Sequence, residues 1–268
     1  DKMLAVLTSK RDSDGRIRCT YQVAGTQTGR WSSKESPWGT GTNLQNITKD
    51  LRAIFIPDRG RIMFYADLQA AESRATAYLS GDEGYINAAE SSDLHTEVAK
   101  MIWPNLGWSE DQEQNRWHKQ DKRGGFDELI EMGEVIGSGT QQLVKVKGAF
   151  PGIRSWHNEV IKELQTTGNL ITPFGRRRQF WGRLDDEHYA RKAIAYLPQS
   201  LVGDILNLGL YKIWKELFKE GVEILGQVHD AVLGQCPIDK VDILIPKVLD
   251  CLNNPIEVKG RKMMIPSD

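Results

Sequence analysis

Two aspartates carry the chemistry this chain most plainly offers. Asp67 closes an apolar run, Ile62-Met63-Phe64-Tyr65-Ala66, and leads into Gln69-Ala70-Ala71-Glu72-Ser73-Arg74. Asp230 stands in Gln227-Val228-His229-Asp230, between two short runs rich in Val, Ile and Leu. Each reads as a carboxylate held at the end of a strand. Taken singly, an aspartate at a strand end is more often a turn or cap residue. Two of them brought together make a site for two divalent metals. Two metals about 4 Å apart activate an attacking oxygen and stabilise a leaving one in phosphoryl or nucleotidyl transfer. Magnesium suits this role because it takes oxygen ligands and leaves room for substrate phosphates.

The elements that must position these residues follow from local pattern. Gly60 to Asp67 reads as a strand apolar enough to be buried. From Ala70 to Leu79 the pattern is helical, with Ala71, Ala75 and Leu79 on one face. Ser92 or Asp93 caps a further helix through Glu97, Val98, Lys100 and Met101. Residues 104–126 are polar and poorly patterned. Residues 127–147 are ambiguous, because glycines 133, 137 and 139 interrupt an apolar face. Gly152 to Thr166 reads as an amphipathic helix. Ala190 to Leu217 holds one or two helices, broken around Pro198. Glu223 to Gln235 reads as a hairpin with its turn at His229-Asp230, so that the acid sits at the tip. The order of elements does not repeat strand and helix regularly, which argues against a doubly wound fold. An α+β fold is expected, an antiparallel sheet with helices on one face plus a largely helical second lobe.

Composition excludes several classes. The chain has 268 residues, 40% hydrophobic and 26% charged, an ordinary globular balance. No apolar run approaches the roughly 18 residues of a membrane span, and no signal peptide is visible. The first residue is not Met, which suggests a fragment or processed piece. Cys19, Cys236 and Cys251 show no metal-ligand spacing and fit packing roles. The net charge of −1 does not by itself advertise a nucleic-acid binder. Charge distribution matters more. Arg176-Arg177-Arg178, with Arg183, Arg191 and Lys192 nearby, reads as a local basic patch suited to phosphates.

The two aspartate segments resemble motifs A and C of the family A DNA polymerases. Further stretches resemble the family in its own order, from about Thr20 to Pro237. Thr28-Gly29-Arg30-Trp31-Ser32-Ser33, Asn43-Leu44-Gln45-Asn46-Ile47 and Arg52-Ala53-Ile54-Phe55-Ile56-Pro57 resemble the opening of the palm. Asp93-Leu94-His95-Thr96 resembles a fingers motif. Phe174-Gly175-Arg176-Arg177-Arg178 and Pro198-Gln199-Ser200 follow. The likeness implies a right-hand polymerase of phage type: palm in 1–80, with a thumb stub at its N-terminus, fingers in 81–189, and palm again in 190–268. It implies a DNA-directed polymerase that extends a primer on its template with deoxynucleoside triphosphates and uses two Mg2+ ions, with Mn2+ as a substitute. A thumb or exonuclease segment would lie outside this chain. The implied setting is the cytoplasm of a bacterium or of a phage-infected host, with no membrane partner.

The resemblance also implies roles for single residues. Asp67, Asp230 and the Leu68 carbonyl become metal ligands. Gln69, Glu72, His95, Lys122 and Phe126 become nucleotide-binding residues, with Glu72 crowding the sugar 2′ position. Arg30, Gln199, His229, Arg176 and Arg177 become DNA-binding residues. For Glu72 the plainer alternative is a surface Glu72–Arg74 helix pair. The sequence departs from the family pattern in three places. His118 and Ile130 stand where an arginine and a tyrosine are expected around Lys122 and Phe126, Gly124-Gly125 weakens that helix, and Ala231 stands where many members have glutamate. Ala231 is a variation compatible with the two-aspartate site, whereas the altered fingers motif and the missing thumb make a primer-template-binding remnant with little synthesis the competing reading, and a metal-dependent nuclease the third.

Overall fold

The computed structural model describes residues 6–23, 25–47, 49–91, 97, 100, 108–109 and 150–268. His95, Lys122, Phe126, the cap at Ser92 or Asp93 and the ambiguous stretch 127–147 lie outside them.

A three-stranded antiparallel sheet forms the platform, in the order β3 (Arg61–Asp67), β7 (Ala231–Pro237), β6 (Glu223–Val228). β7 is central, and Ala231, Val232 and Cys236 are fully buried. The strand predicted from Gly60 to Asp67 forms, but it is an edge strand. Only Ala66 in it is buried, while Ile62 and Tyr65 are exposed. An apolar run reports β propensity, whereas its burial depends on neighbours that the run does not name. Phe64 lies opposite Gly234, where a Cβ would stand 2.3 Å from the Phe64 ring, so the missing side chain makes room for the aromatic.

One small strand pair precedes the sheet, β1 (Thr20–Gln22) with β2 (Ser32–Lys34), and a single helical turn, α1 (Lys49–Arg52), leads towards β3. Helix α2 (Ala71–Ser80) follows β3, then α3 (Glu83–Glu90). As expected, Ala71, Ala75 and Leu79 are all buried on one face of α2. Helix α4 (Pro151–Thr167) carries Pro151 in its first turn, where the missing N–H costs nothing, and ends on Gly168 at φ +67°. Its buried Trp156, Val160 and Leu164 recur every four residues. The hairpin β4 (Asn169–Ile171) and β5 (Arg177–Gln179) comes next.

Helix α5 (Glu187–Leu217) runs 31 residues without a break. The expected interruption at Pro198 does not occur. An interior proline costs about 3 kcal/mol. Here Tyr196, Leu197, Leu201, Val202, Ile205 and Leu206 are buried around and beyond it, and that burial outweighs the loss. A helix that is apolar nearly all round belongs in a core, and α2, α4 and α6 (Val241–Leu252) pack against α5. One hydrophobic cluster joins α2, α3, α4, α5, α6 and the sheet, so packing is continuous across positions 80 and 189. After β8 (Ile256–Val258) and β9 (Arg261–Met263) the chain returns to the sheet edge. The Asp67 N–H donates to the Asp268 carbonyl at 2.9 Å, the Asp268 N–H to that of Asp67 at 3.1 Å, and the Gln69 N–H to that of Pro266 at 2.8 Å.

Candidate active site

Register brings the two aspartates together. Asp67 is the last residue of β3 and lies opposite Ala231, the first residue of β7. His229 and Asp230 form the tight turn between β6 and β7, since Val228 pairs directly with Ala231. His229 takes φ +57°, a left-handed conformation for which histidine is among the more tolerant residues. The Leu68 N–H donates to the Asp230 carbonyl at 3.2 Å, tying the end of one motif to the turn of the other. The hairpin expected over Glu223–Gln235, with the acid at its tip, is therefore observed.

The electrostatics suit a cation. Burial raises the Asp67 carboxyl above the usual aspartate value of 3.8, and the charges of Asp230 and Asp268 push it the same way. A hydrogen bond from Leu68 and the charge of His229 pull it back only in part. Adjacent carboxylates disfavour each other's ionised forms, and a cation relieves that repulsion. Among the described residues no group of three or more His, Cys, Asp or Glu side chains is arranged to hold a metal ion, so any ion here would rest on the carboxylate pair and backbone or substrate oxygens.

Directly after Leu68, Ala70 takes φ +49° and swings the chain from strand into α2. A non-glycine residue in that region costs on the order of 1 kcal/mol and is held there by its surroundings. The turn leaves Gln69 exposed and puts Glu72 in the first helical turn. Glu72 pairs with Arg30 at 2.5 Å. Arg74 is buried and pairs with Glu90 at 2.8 Å. The surface Glu72–Arg74 pair is thus replaced by two divergent ones, because the two side chains leave opposite faces of α2. The Nε of Arg30 is buried without a hydrogen-bond partner.

Helix α5 grips the segment that carries Arg30. Asn207 donates to the Gly29 carbonyl at 3.0 Å. At Gly203 a Cβ would come within 3.2 Å of the Thr28 carbonyl. Gln199 lies one turn earlier on α5 and is half-buried. Arg176 meets Asp204 through Nη2 at 2.5 Å and Nε at 3.1 and 3.2 Å. Its guanidinium lies against Gly29, where a Cβ would be 2.5 Å away.

The arginine triplet does not present one basic face. Arg176 is turned to Asp204. Arg178 stacks on Phe180 at 4.3 Å and Tyr196 at 5.3 Å. Arg177 is exposed and bonds Asn169. Alternation along β5 sends neighbours to opposite sides. Arg183 and Arg191 sit beside Asp185 and Glu187, which further dilutes the patch. The fold therefore gathers Asp67, Leu68, Gln69, Asp230 and His229, adjoins the Arg30–Glu72 pair to them, and leaves Gln199 on α5, one turn before Gly203, and Arg177 on the β5 surface. Sequence reasoning missed Gln45, Asp204, Asn207, Gln227 and Asp268. The available signals were Gln45 and Gln227, which stand inside stretches that resemble family motifs, Gln227 as a polar residue in a mainly apolar strand.

Comparison with known proteins agrees with this geometry. The fold is that of the POL domain of Pol1 from M. smegmatis, solved in complex with DNA primer-template and dNTP, with a TM-score of 0.76 at 24% identity over all of this chain and 49% of that one. The sequence model of DNA polymerase family A matches residues 2–126. The thermostable DNA polymerase I of Thermus filiformis is 27% identical over 91% of this chain and 32% of its own length. DNA polymerase I of Chloroflexus aurantiacus is 28% identical over 85% of this chain and 26% of its own. The match to the family model covers just under half of the chain, and similarity to bacterial DNA polymerases I runs through most of it. The chain spans between about a quarter and a third of the length of these curated relatives. They are bacterial, and none of these likenesses supports the phage-type expectation. Among the described residues no helix is long and apolar enough to cross a membrane.

Proposed function

We propose that this chain is the palm, with part of the fingers, of a template-directed DNA polymerase that adds deoxynucleotides to a primer 3′-hydroxyl. The observation that carries the reading is the meeting of Asp67, at the end of β3, with Asp230, in the β6–β7 turn. On this reading 1–80 and 190–268 are palm and 81–189 fingers. Asp67, Asp230 and the Leu68 carbonyl would hold divalent ions, Mg2+ with Mn2+ as substitute, which fits an all-oxygen donor set. Bound there, such ions would neutralise phosphate charge and activate the attacking oxygen. The chain's own work is positioning.

Arg30 reaches the site from the segment held by α5, and its guanidinium keeps an unpaired donor. Arg30, Gln199 and His229 would follow the minor groove at the primer terminus, where the shared acceptors of all base pairs test shape without reading sequence. Glu72 would sit under the sugar and exclude a 2′-hydroxyl. Gln69, His95, Lys122 and Phe126 would bind the incoming nucleotide. Arg177, exposed on β5, is free to meet backbone phosphate. Arg176 is placed to hold Asp204 and contributes to DNA binding through Gly29 and Arg30.

Single-nucleotide primer extension at low salt, with enzyme in excess over primer-template, tests the reading. The parent should incorporate only the nucleotide the template dictates. Asp230→Asn should lower incorporation by about a thousandfold or more, with DNA affinity retained. Normal extension by that variant would sink the site assignment. Binding without incorporation by the parent would favour the remnant reading, and strand cleavage without nucleotides the nuclease.

A further inference from the structure

We propose that Gln227 is a positioning residue, a buried amide that fixes Arg30 relative to the turn bearing Asp230. Gln227 lies in β6 opposite Val232 and is 1% exposed. An apolar side chain would bury there at less cost, so a polar one needs a partner at each amide atom to be tolerated. It has both. Its Oε1 accepts from the Trp31 N–H at 3.1 Å, and its Nε2 donates to the His229 carbonyl at 3.2 Å. One amide thus touches the residue next to Arg30 and the residue next to Asp230.

A second amide closes the arrangement. Gln45 donates through Nε2 to the Trp31 carbonyl at 3.0 Å and to the Gln227 carbonyl at 3.1 Å. Its Oε1 accepts from the Ser33 N–H at 3.0 Å. Gln45 is itself set by Asn43, whose Oδ1 accepts from the Gln45 N–H at 3.0 Å and from the Ser33 hydroxyl at 2.6 Å. Trp31 and Ser33 form no backbone ladder with β6. The two glutamine side chains supply the bonds that a strand pairing would otherwise give, at the one level where Arg30 and Asp230 must keep register.

From the other side Asn207 and the Arg176–Asp204 pair hold Gly29. Arg30 is therefore fixed between α5 and β6, and the Gln227 side chain spans from its segment to the aspartate turn. Neither of its amide atoms is available to substrate, so its effect must pass through the placement of Arg30 against the Asp230 turn. Partners that orient functional side chains are typically worth about 10–100-fold in activity.

The inference rests on the polymerase reading, and a double-mutant cycle separates the two. Single-turnover incorporation would be measured on primer-template with the full chain, for the parent, Gln227→Met, Arg30→Ala and the double variant. Met matches the length and volume of Gln without its hydrogen bonds. Gln227→Met should slow incorporation about tenfold and leave primer-template affinity within about twofold. Once Arg30 has lost its side chain, its register no longer matters. The double variant should then be within about twofold of Arg30→Ala alone. Multiplying effects, or a parent-like rate in Gln227→Met, would overturn the proposal. If Gln227→Met fails to fold, the half-buried Gln45→Met takes its place in the same cycle with the same criteria. Absence of incorporation by the parent would refute the polymerase reading instead.

Discussion

Asp67→Asn should stabilise the metal-free protein while removing its response to magnesium. Asp67 is half-buried beside Asp230 and the Asp268 segment, and its carboxyl is raised above 3.8 by burial and by those two negative charges. A carboxyl whose folded pKa exceeds its unfolded one takes up a proton on folding. Stability then falls as pH rises from 3.8 through the folded value, and the full cost remains at neutral pH. Asn removes the charge and keeps an oxygen that can accept from Leu68. A half-exposed site is screened by water, so the gain is discounted to about 1 kcal/mol. For a chain of this size that is a rise of about 2–4 °C in melting temperature. The gain should be present at pH 7 in chelator and fade as pH falls towards 4. Magnesium at about a hundred times its dissociation constant should stabilise the parent by about 2.7 kcal/mol, and the variant should respond little. Thermal melts of both proteins, in chelator and in magnesium, across pH, read all of this. A variant that melts below the parent in chelator, or an equal magnesium response in both, would refute the reasoning.

Further outcomes follow from the ion pairs. Glu72→Ala removes the partner of Arg30 and should ease ribonucleotide incorporation by about tenfold or more. Paired measurements with deoxy- and ribonucleotides check it, and an unchanged preference would take Glu72 out of the sugar gate. Asp204→Asn weakens the grip on Arg176 from a carboxylate that is only 9% exposed. It should cost about 2 kcal/mol, or about 4–8 °C in a thermal melt. An unchanged melting temperature would remove Arg176 from its structural role.

Elements whose information is local were readable in advance. Helix α4 announced itself through the four-residue spacing of Trp156, Val160 and Leu164, and α2 through its small apolar face. The His229-Asp230 turn was legible because two β-prone runs flank it at hairpin distance. Pro198 misled because the rule for proline prices only the backbone, while α5 is held by burial on most of its sides. The arginine triplet misled because Arg177 and Arg178 leave opposite faces of β5 while Arg176, just before the strand, turns to Asp204, so each finds a different partner. Glu72 and Arg74 were adjacent on paper and diverge in space.

By itself the sequence determined the kinds of element, the tip position of Asp230 and the strand end at Asp67, and the order of its motifs carries its likeness to the family A DNA polymerases. Those properties depend on spacing within some ten to twenty residues, or on a pattern of types along the chain. Only the tertiary structure decided that Asp67 faces Ala231 across the sheet, that the Pro266–Asp268 segment adds a negative charge beside it, and that Gln227 and Gln45 sew Trp31 to the aspartate turn. Each of these joins residues far apart in the chain, and each depends on one strand register. A one-residue slip would turn every side chain to the other face, and that register is set by the packed core as a whole.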